Sequence, residues 1–99
     1  MAYDPGALDA ALAAIMGDDP SLIVELRAAF FASAELHICA LTNATSLEDW
    51  RDAAIRLHSL AASFGAVRLM DDATRAANAN LIDPAILGRI ERTIAALDL

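Results

Sequence analysis

Three side chains in this 99-residue sequence have the chemistry of a nucleophile or a soft metal ligand: His37, His58 and Cys39. The two histidines are 21 residues apart, and neither has a second histidine one helical turn away, so the sequence predicts no zinc or iron site. Cys39 follows His37 by two residues, a spacing that points to different sides of a helix and disfavours a Cys–His pair. We expect Cys39 to be a half-buried structural cysteine and His37 a hydrogen-bonded packing residue.

His58 differs from the other two because it lies next to the apolar stripe of its predicted helix and not on it. A step of one residue rotates a side chain by about 100°, so we expect His58 to be exposed or half-exposed. The residues one turn away are Ala54, Ile55, Ala61 and Ala62, here called the apolar collar. A solvated helix face usually carries Glu, Arg or Gln, so the apolar collar predicts a surface that another protein can approach closely.

The composition indicates a small helical protein without a basic surface. Ala and Leu occupy 24 and 14 positions, and 14 acidic residues face seven arginines and no lysine, for a net charge of −7. Scattered arginines offer few counter-charges to a phosphate backbone, so no nucleic-acid partner is expected. The absence of lysine excludes P-loop and Schiff-base chemistry. The length corresponds to one domain, residues 1–99, which excludes a multidomain enzyme.

The distribution of apolar residues predicts neither a membrane span nor a signal peptide. The longest stretch without Asp, Glu, Lys or Arg, 36–47, includes Thr42, Asn43, Thr45 and Ser46 and is shorter than the roughly 20 apolar residues that a span requires. No basic segment precedes an apolar one at the start of the sequence. A single cysteine cannot form an internal disulfide. These features predict a cytoplasmic protein with no membrane partner.

Capping residues mark the helix starts. Aspartate is a strong N-cap and proline suits the first helical position, so each Asp-Pro pair predicts a start. The pairs are Asp4-Pro5, Asp19-Pro20 and Asp83-Pro84. Ser46, followed by two acidic residues, predicts a further start, and Gly17 and Gly65 are expected to break the chain between helices. The predicted helices span about residues 5–16, 20–42, 47–64, 67–80 and 84–97.

Apolar residues recur at helical spacing in the last four of these segments. The clearest stripe repeats at steps of 3, 4, 3 and 4, which is typical of a helix bundle, and comprises Trp50, Ala53, Leu57, Leu60 and Phe64. The other stripes are Leu22, Leu26, Phe30, Ser33, His37 and Leu41; Leu69, Ala73, Ala76 and Leu81; and Leu87, Ile90, Ile94 and Leu97. No segment alternates as a β-strand would. The expected fold is all-α, an antiparallel four-helix bundle with a short additional N-terminal helix.

The segment around His58 contains a motif that extends this interpretation. It reads Arg56-Leu57-His58-Ser59-Leu60-Ala61-Ala62-Ser63-Phe64-Gly65-Ala66, followed by Arg68-Leu69. This segment resembles the signature of histidine phosphotransfer (HPt) domains of two-component phosphorelays, which typically reads A-H-x-L-K-G-S-x-x-x-L-G-A-x-x-L. Asp49-Trp50 resembles the acidic-aromatic start of the same helix in that family, and Phe30 the usual phenylalanine of the preceding helix. The resemblance covers about residues 20–80.

The resemblance implies a phosphocarrier and not a conventional enzyme. His58 would accept a phosphoryl group from the phospho-aspartate of one response-regulator receiver domain and pass it to another. A neutral imidazole is a competent nucleophile, and phosphoryl transfer depends mainly on positioning and charge stabilisation. The receiver would supply Mg²⁺, so no cofactor of the chain's own is implied. A hybrid histidine kinase is a further implied partner, and a monomer is the expected state.

The resemblance also implies a docking face around His58. The predicted docking residues are Arg51, Ala54, Ile55, Ala61, Ala62, Gly65 and Arg68. Ala62 stands where the family has glycine and leaves room for the partner's loops, while Arg51 would contact the partner at the rim. The departure from the family is Ala61, where a lysine usually lies beside the phosphoryl group. Loss of a cation about 4 Å from a phosphate removes about 1 to 4 kcal/mol of attraction, which Arg68 could restore by reaching back.

Three other interpretations compete with a phosphocarrier. A degenerate HPt-like domain would bind receivers or kinases without carrying phosphate, as the alanine at position 61 suggests. The dimerisation and phosphoacceptor domain of a histidine kinase normally has an acidic residue directly after the histidine and a proline four or five residues on. Ser59, Ala62 and Ser63 occupy those positions instead. A purely structural helical protein would be favoured if His58 were buried.

Overall fold

The computed structural model describes residues 19–97, which form four helices and no strand. The helices are α1 (Pro20–Asn43), α2 (Leu47–Ser63), α3 (Val67–Ala77) and α4 (Pro84–Leu97). None of the four has the length and apolar character needed to cross a membrane. The helix predicted at 5–16, with its start at Asp4-Pro5 and the break at Gly17, lies outside the described residues.

Side-chain caps begin three of the helices where the sequence predicts them. The Asp19 carboxylate accepts hydrogen bonds from the backbone N–H groups of Ser21 and Leu22, at 3.0 and 3.4 Å, and Pro20 takes the first position of α1. The Ser46 hydroxyl accepts from the N–H of Asp49 at 3.1 Å to begin α2. At α4, Asp83 accepts from the N–H of Ala85 at 2.9 Å. Each cap satisfies backbone donors that have no partner inside the helix.

A glycine in the left-handed region ends α2. Gly65 has a φ of 68°, and its N–H donates to the carbonyl of Ala62 at 3.2 Å. The N–H of Ala66 donates to the carbonyl of Ala61 at 2.9 Å. This pair of bonds is a Schellman motif, which requires a left-handed residue that only glycine adopts at little cost. The predicted break at Gly65 is therefore confirmed, and it directs the chain back into α3.

The third helix ends three residues earlier than predicted, at Ala77 and not near residue 80. Asn78 and Asn80 follow it, and asparagine readily leaves a helix because its side chain competes for backbone hydrogen bonds. The carbonyl of Ala79 accepts two hydrogen bonds from the guanidinium of Arg51, at 2.8 and 3.2 Å. A side chain of α2 therefore holds the segment that joins α3 to α4.

The four helices surround one hydrophobic core, in which α1 packs against α2, α2 against α3, α3 against α4, and α4 against α1. The ring of Phe30 makes edge-to-face contacts with Phe31 and Phe64, with centroids 5.3 and 5.1 Å apart. The largest side chains that are almost wholly buried are Trp50, Phe30, Leu41, Leu57, Leu69, Ile90 and Leu97.

The predicted apolar stripes are correct in outline and wrong at several positions. Leu22 and Leu81 are 37% and 61% exposed, because the former lies in the first turn of α1 and the latter follows the end of α3. In α2, Ala54 and Ala61 are wholly buried, while Leu60 is only partly buried. Because α2 packs against both α1 and α3, its buried side spans more of the helix circumference than a single apolar stripe. The buried side is also rotated from the predicted stripe, away from Leu60.

Candidate functional site

His58 lies in α2 on the border between its buried and solvent-facing sides. At 100° per residue, the buried Ala54 and Ala61 lie about 40° and 60° to one side of it. Ile55 and Ala62, both exposed, lie about 60° and 40° to the other side. The imidazole is itself half-buried, as the sequence predicts. The imidazole therefore lies between buried residues on one side and exposed residues on the other.

Only half of the apolar collar is at the surface. Ile55 is 54% exposed and Ala62 is exposed, but Ala54 and Ala61 have no accessible area and cannot touch a partner. The prediction that Ala54 and Ala61 belong to a docking face is therefore wrong. Their small side chains instead lie in the core and allow the neighbouring helices to approach α2 closely.

The solvent-facing side of α2 next to His58 carries no charged residue one turn away. The Ser59 hydroxyl donates to the carbonyl of Ile55 at 3.1 Å, and the Ser63 hydroxyl donates to the carbonyl of Ser59 at 3.0 Å. Both hydroxyls are thus satisfied within the helix and add little polarity to its surface. Together with the methyl group of Ala62, these two serine side chains form an uncharged surface of small side chains near the imidazole.

The two arginines expected at the docking face lie on different helices, Arg51 on α2 and Arg68 on α3. Arg51 is half-buried, about two helical turns from His58, and its guanidinium binds the carbonyl of Ala79. It therefore holds the segment before α4 and is not available as a free rim contact. Arg68 lines a groove whose other lining residues come from α3 and α4 and none from α2. Gly65 is exposed, and the chain reversal after α2 requires its positive φ.

His37 lines an open groove between α1 and α2 and is not a core packing residue. The groove has a volume of about 530 Å³, and Asp49, Asp52 and Arg56 line it from α2. Partial burial lowers the pKa of His37 below its usual value of 6.5, and the positive charge of Arg56 lowers that pKa further. The imidazole of His37 is thus biased toward its neutral form.

Cys39 is exposed, which corrects the prediction of a half-buried structural cysteine. The buried residues of α1 are Phe30, Ala34 and Leu41. Two residues before Leu41, a side chain is turned by about 200° around the helix axis and faces away from the core.

From the sequence alone, the arginines are interpreted as scattered. In the structure, four of them line one groove. Arg68 and Arg75 reach it from α3, and Arg89 and Arg92 from α4. Spacings of seven and three residues within each helix were readable signals that each pair shares a helix face. The packing of α3 against α4, which brings the pairs together, had no counterpart in the sequence pattern.

Comparisons of this chain with protein-family models, curated proteins and solved structures find no match. Within residues 19–97, no three His, Cys, Asp or Glu side chains are grouped so that they could hold a metal ion. The assignment of a function therefore depends on His58, its motif and its surroundings.

Proposed function

We propose that this chain is a cytoplasmic, monomeric histidine phosphotransfer protein, built as an antiparallel four-helix bundle, that relays a phosphoryl group between receiver domains through His58. The observation that carries the proposal is the half-buried His58 at the edge of the core, with the uncharged surface of Ile55 and Ala62 on its open side. An imidazole nitrogen of His58 attacks the phosphorus of the receiver's phospho-aspartate. The N–P bond forms as the acyl O–P bond breaks, and aspartate leaves as a carboxylate.

The rigidity of α2 supports this function because transfer between two proteins depends on positioning. His58 lies within a 17-residue helix that is capped by Ser46 at its start and closed by Gly65 at its end. The buried Ala54 and Ala61 lie one turn from His58 on the side that faces the core. On the open side, no residue one turn from His58 is charged, so a receiver loop can approach over Ile55 and Ala62 without displacing a charged side chain. The receiver contributes the Mg²⁺ and the cations that stabilise the transferring group.

Position 61 favours a second candidate function, the binding of receivers or kinases without phosphate transfer. Ala61 brings no cation to His58, and its Cβ lies inside the core. A phosphoryl group on His58 thus lacks the lysine that HPt domains usually provide. In the leading proposal that charge comes from the partner.

Phosphotransfer to purified protein distinguishes the two candidates. The full chain is incubated with a panel of ³²P-labelled receiver domains from the same cell, and acid-labile label on the chain is measured. Wild type and the control His37→Gln are expected to be labelled, and His58→Gln is expected to remain unlabelled with an unchanged far-UV circular dichroism spectrum.

Three results would overturn the phosphocarrier proposal. Label on His58→Gln at the wild-type level would place the phosphate elsewhere. Measurable receiver binding without any label on wild type would establish the binding-only function, and absence of both binding and label across the panel would favour a structural helical protein.

A further inference from the structure

The groove between α3 and α4 concentrates positive charge in an acidic protein. Its volume is about 380 Å³, and its charged lining consists of Arg68, Arg75, Arg89, Arg92, Asp71 and Asp72. Four of the chain's seven arginines are thus in one groove, with two acidic residues. Counted over the described lining residues, the formal charge of the groove is +2, while the whole chain carries −7.

One of the two acidic residues in the groove is already engaged. Asp72 is 7% exposed, and its carboxylate accepts a hydrogen bond from the hydroxyl of Thr93 across the α3–α4 contact. This bond holds the two walls of the groove together. Asp71 is exposed and is the other acidic residue among the described residues of the lining. Within the described part of the chain, the lining therefore has more positive than negative charges.

The guanidinium of Arg92 lies along the backbone of its own helix. A Cβ added to Gly88 would meet Nη1 of Arg92 at 3.4 Å, so the glycine leaves the space that this side chain uses. Arg75, Arg89 and Arg92 donate no hydrogen bond to another described residue. These donors face a shared groove with capacity for further acceptors.

We propose that the α3–α4 groove binds a small molecule that carries a diphosphate or triphosphate group. Arginine presents a planar fork of N–H donors that matches phosphate oxygens, and like-charged guanidinium groups held together gain from a multivalent anion between them. A volume of about 380 Å³ is in the range of small-ligand sites. Outside the groove, the rest of the chain has a formal charge of −9. This negative charge repels an extended polyanion, so it favours a compact ligand that stays within the groove.

This site is separate from the phosphoryl-transfer proposal. Its lining residues belong to α3 and α4, and none belongs to α2, which carries His58. Binding in the groove is therefore expected to be the same in His58→Gln as in wild type.

Titration calorimetry with inorganic pyrophosphate, in the presence of 0.15 M salt and a chelator, tests the proposal on the full chain. The variants are Arg75→Gln and Arg89→Gln, and the matched control is Arg56→Gln, which removes the same charge from an exposed position on α2. We expect pyrophosphate to bind wild type, each groove variant to raise Kd by about three- to tenfold, and Arg56→Gln to change Kd by less than about twofold. Succinate, a dicarboxylate probe, is expected to bind at least about tenfold more weakly.

Several outcomes would overturn this proposal. Absence of pyrophosphate and tripolyphosphate binding at millimolar concentration would show that the groove is a solvated charge cluster. Equal weakening by Arg56→Gln would show that net charge and not the groove attracts the anion. Succinate binding as tight as pyrophosphate binding would replace the phosphate site with an unselective anion site.

Discussion

The indole N–H of Trp50 donates a hydrogen bond to the backbone carbonyl of Ala76, with the two atoms 2.8 Å apart in the interior of the protein. Trp50 lies in the first turn of α2 and Ala76 in the last turn of α3, where carbonyl groups lack partners within the helix. The bond satisfies the buried indole donor, and the same carbonyl also accepts from the backbone N–H of Ala79 at 3.3 Å. The indole bond links the start of α2 to the end of α3, and we expect it to help set how α2 is rotated against α3.

Replacement of Trp50 by phenylalanine is expected to lower the free energy of unfolding by about 1 to 3 kcal/mol. The variant loses the bond to Ala76 and leaves a small void in the core. Urea unfolding followed by circular dichroism measures the change, with Val24→Ala as the control because Val24 is 65% exposed. A loss below about 0.5 kcal/mol would show that this bond does not set the packing of α2 against α3.

Arg51→Met separates a structural role of Arg51 from a docking role. Methionine keeps an apolar stem but cannot donate to the carbonyl of Ala79, so we expect a loss of about 1 kcal/mol in stability. The rate of phosphotransfer to wild-type receiver is expected to stay unchanged under conditions where the variant is folded. Denaturation and transfer rates are compared with Arg56→Met, and a slowed transfer confined to Arg51→Met would restore Arg51 as a partner contact.

Positions 61 and 62 form a matched pair of adjacent alanines with opposite exposure. Ala61→Leu overpacks the core and is expected to destabilise the protein by about 1 to 3 kcal/mol. Ala62→Leu projects from the surface, so its stability is expected to change by less than about 0.5 kcal/mol. It obstructs the open side of His58 and is expected to slow phosphotransfer about tenfold or more.

Chemical denaturation and single-turnover transfer assays on both variants of this pair provide the check. Unimpaired transfer by a folded Ala62→Leu would mean that the partner does not approach over this side of α2.

The pH dependence of stability should contain a contribution from His37. Because its pKa is lower in the folded protein than the usual 6.5, the unfolded chain binds the proton more readily. This contribution to stability is complete above pH 6.5, is lost as pH falls through 6.5 toward the folded pKa, and is constant below it. Urea midpoints between pH 7.5 and 5.5 are expected to fall more steeply for wild type than for His37→Gln, and identical slopes would contradict the lowered pKa.

Local signals in the sequence determined where the helices begin and that His58 is partly exposed. The caps at Asp19, Ser46 and Asp83 act on N–H groups two or three residues away, so their effect is readable without knowledge of the fold. The place of His58 beside an apolar stripe follows from the period of the helix in the same way.

Tertiary structure alone decided which neighbours of His58 a partner can reach. Ala54 and Ala62 lie at about equal angles on either side of His58, and the first is buried only because a second helix packs on that side of α2. Tertiary structure likewise decided that Arg51 bonds to the carbonyl of Ala79 and that four arginines share one groove. Each of these arrangements joins residues from separate parts of the chain. Periodicity specifies the direction of a side chain relative to its own helix axis, but contacts between helices depend on how the helices are arranged around the core.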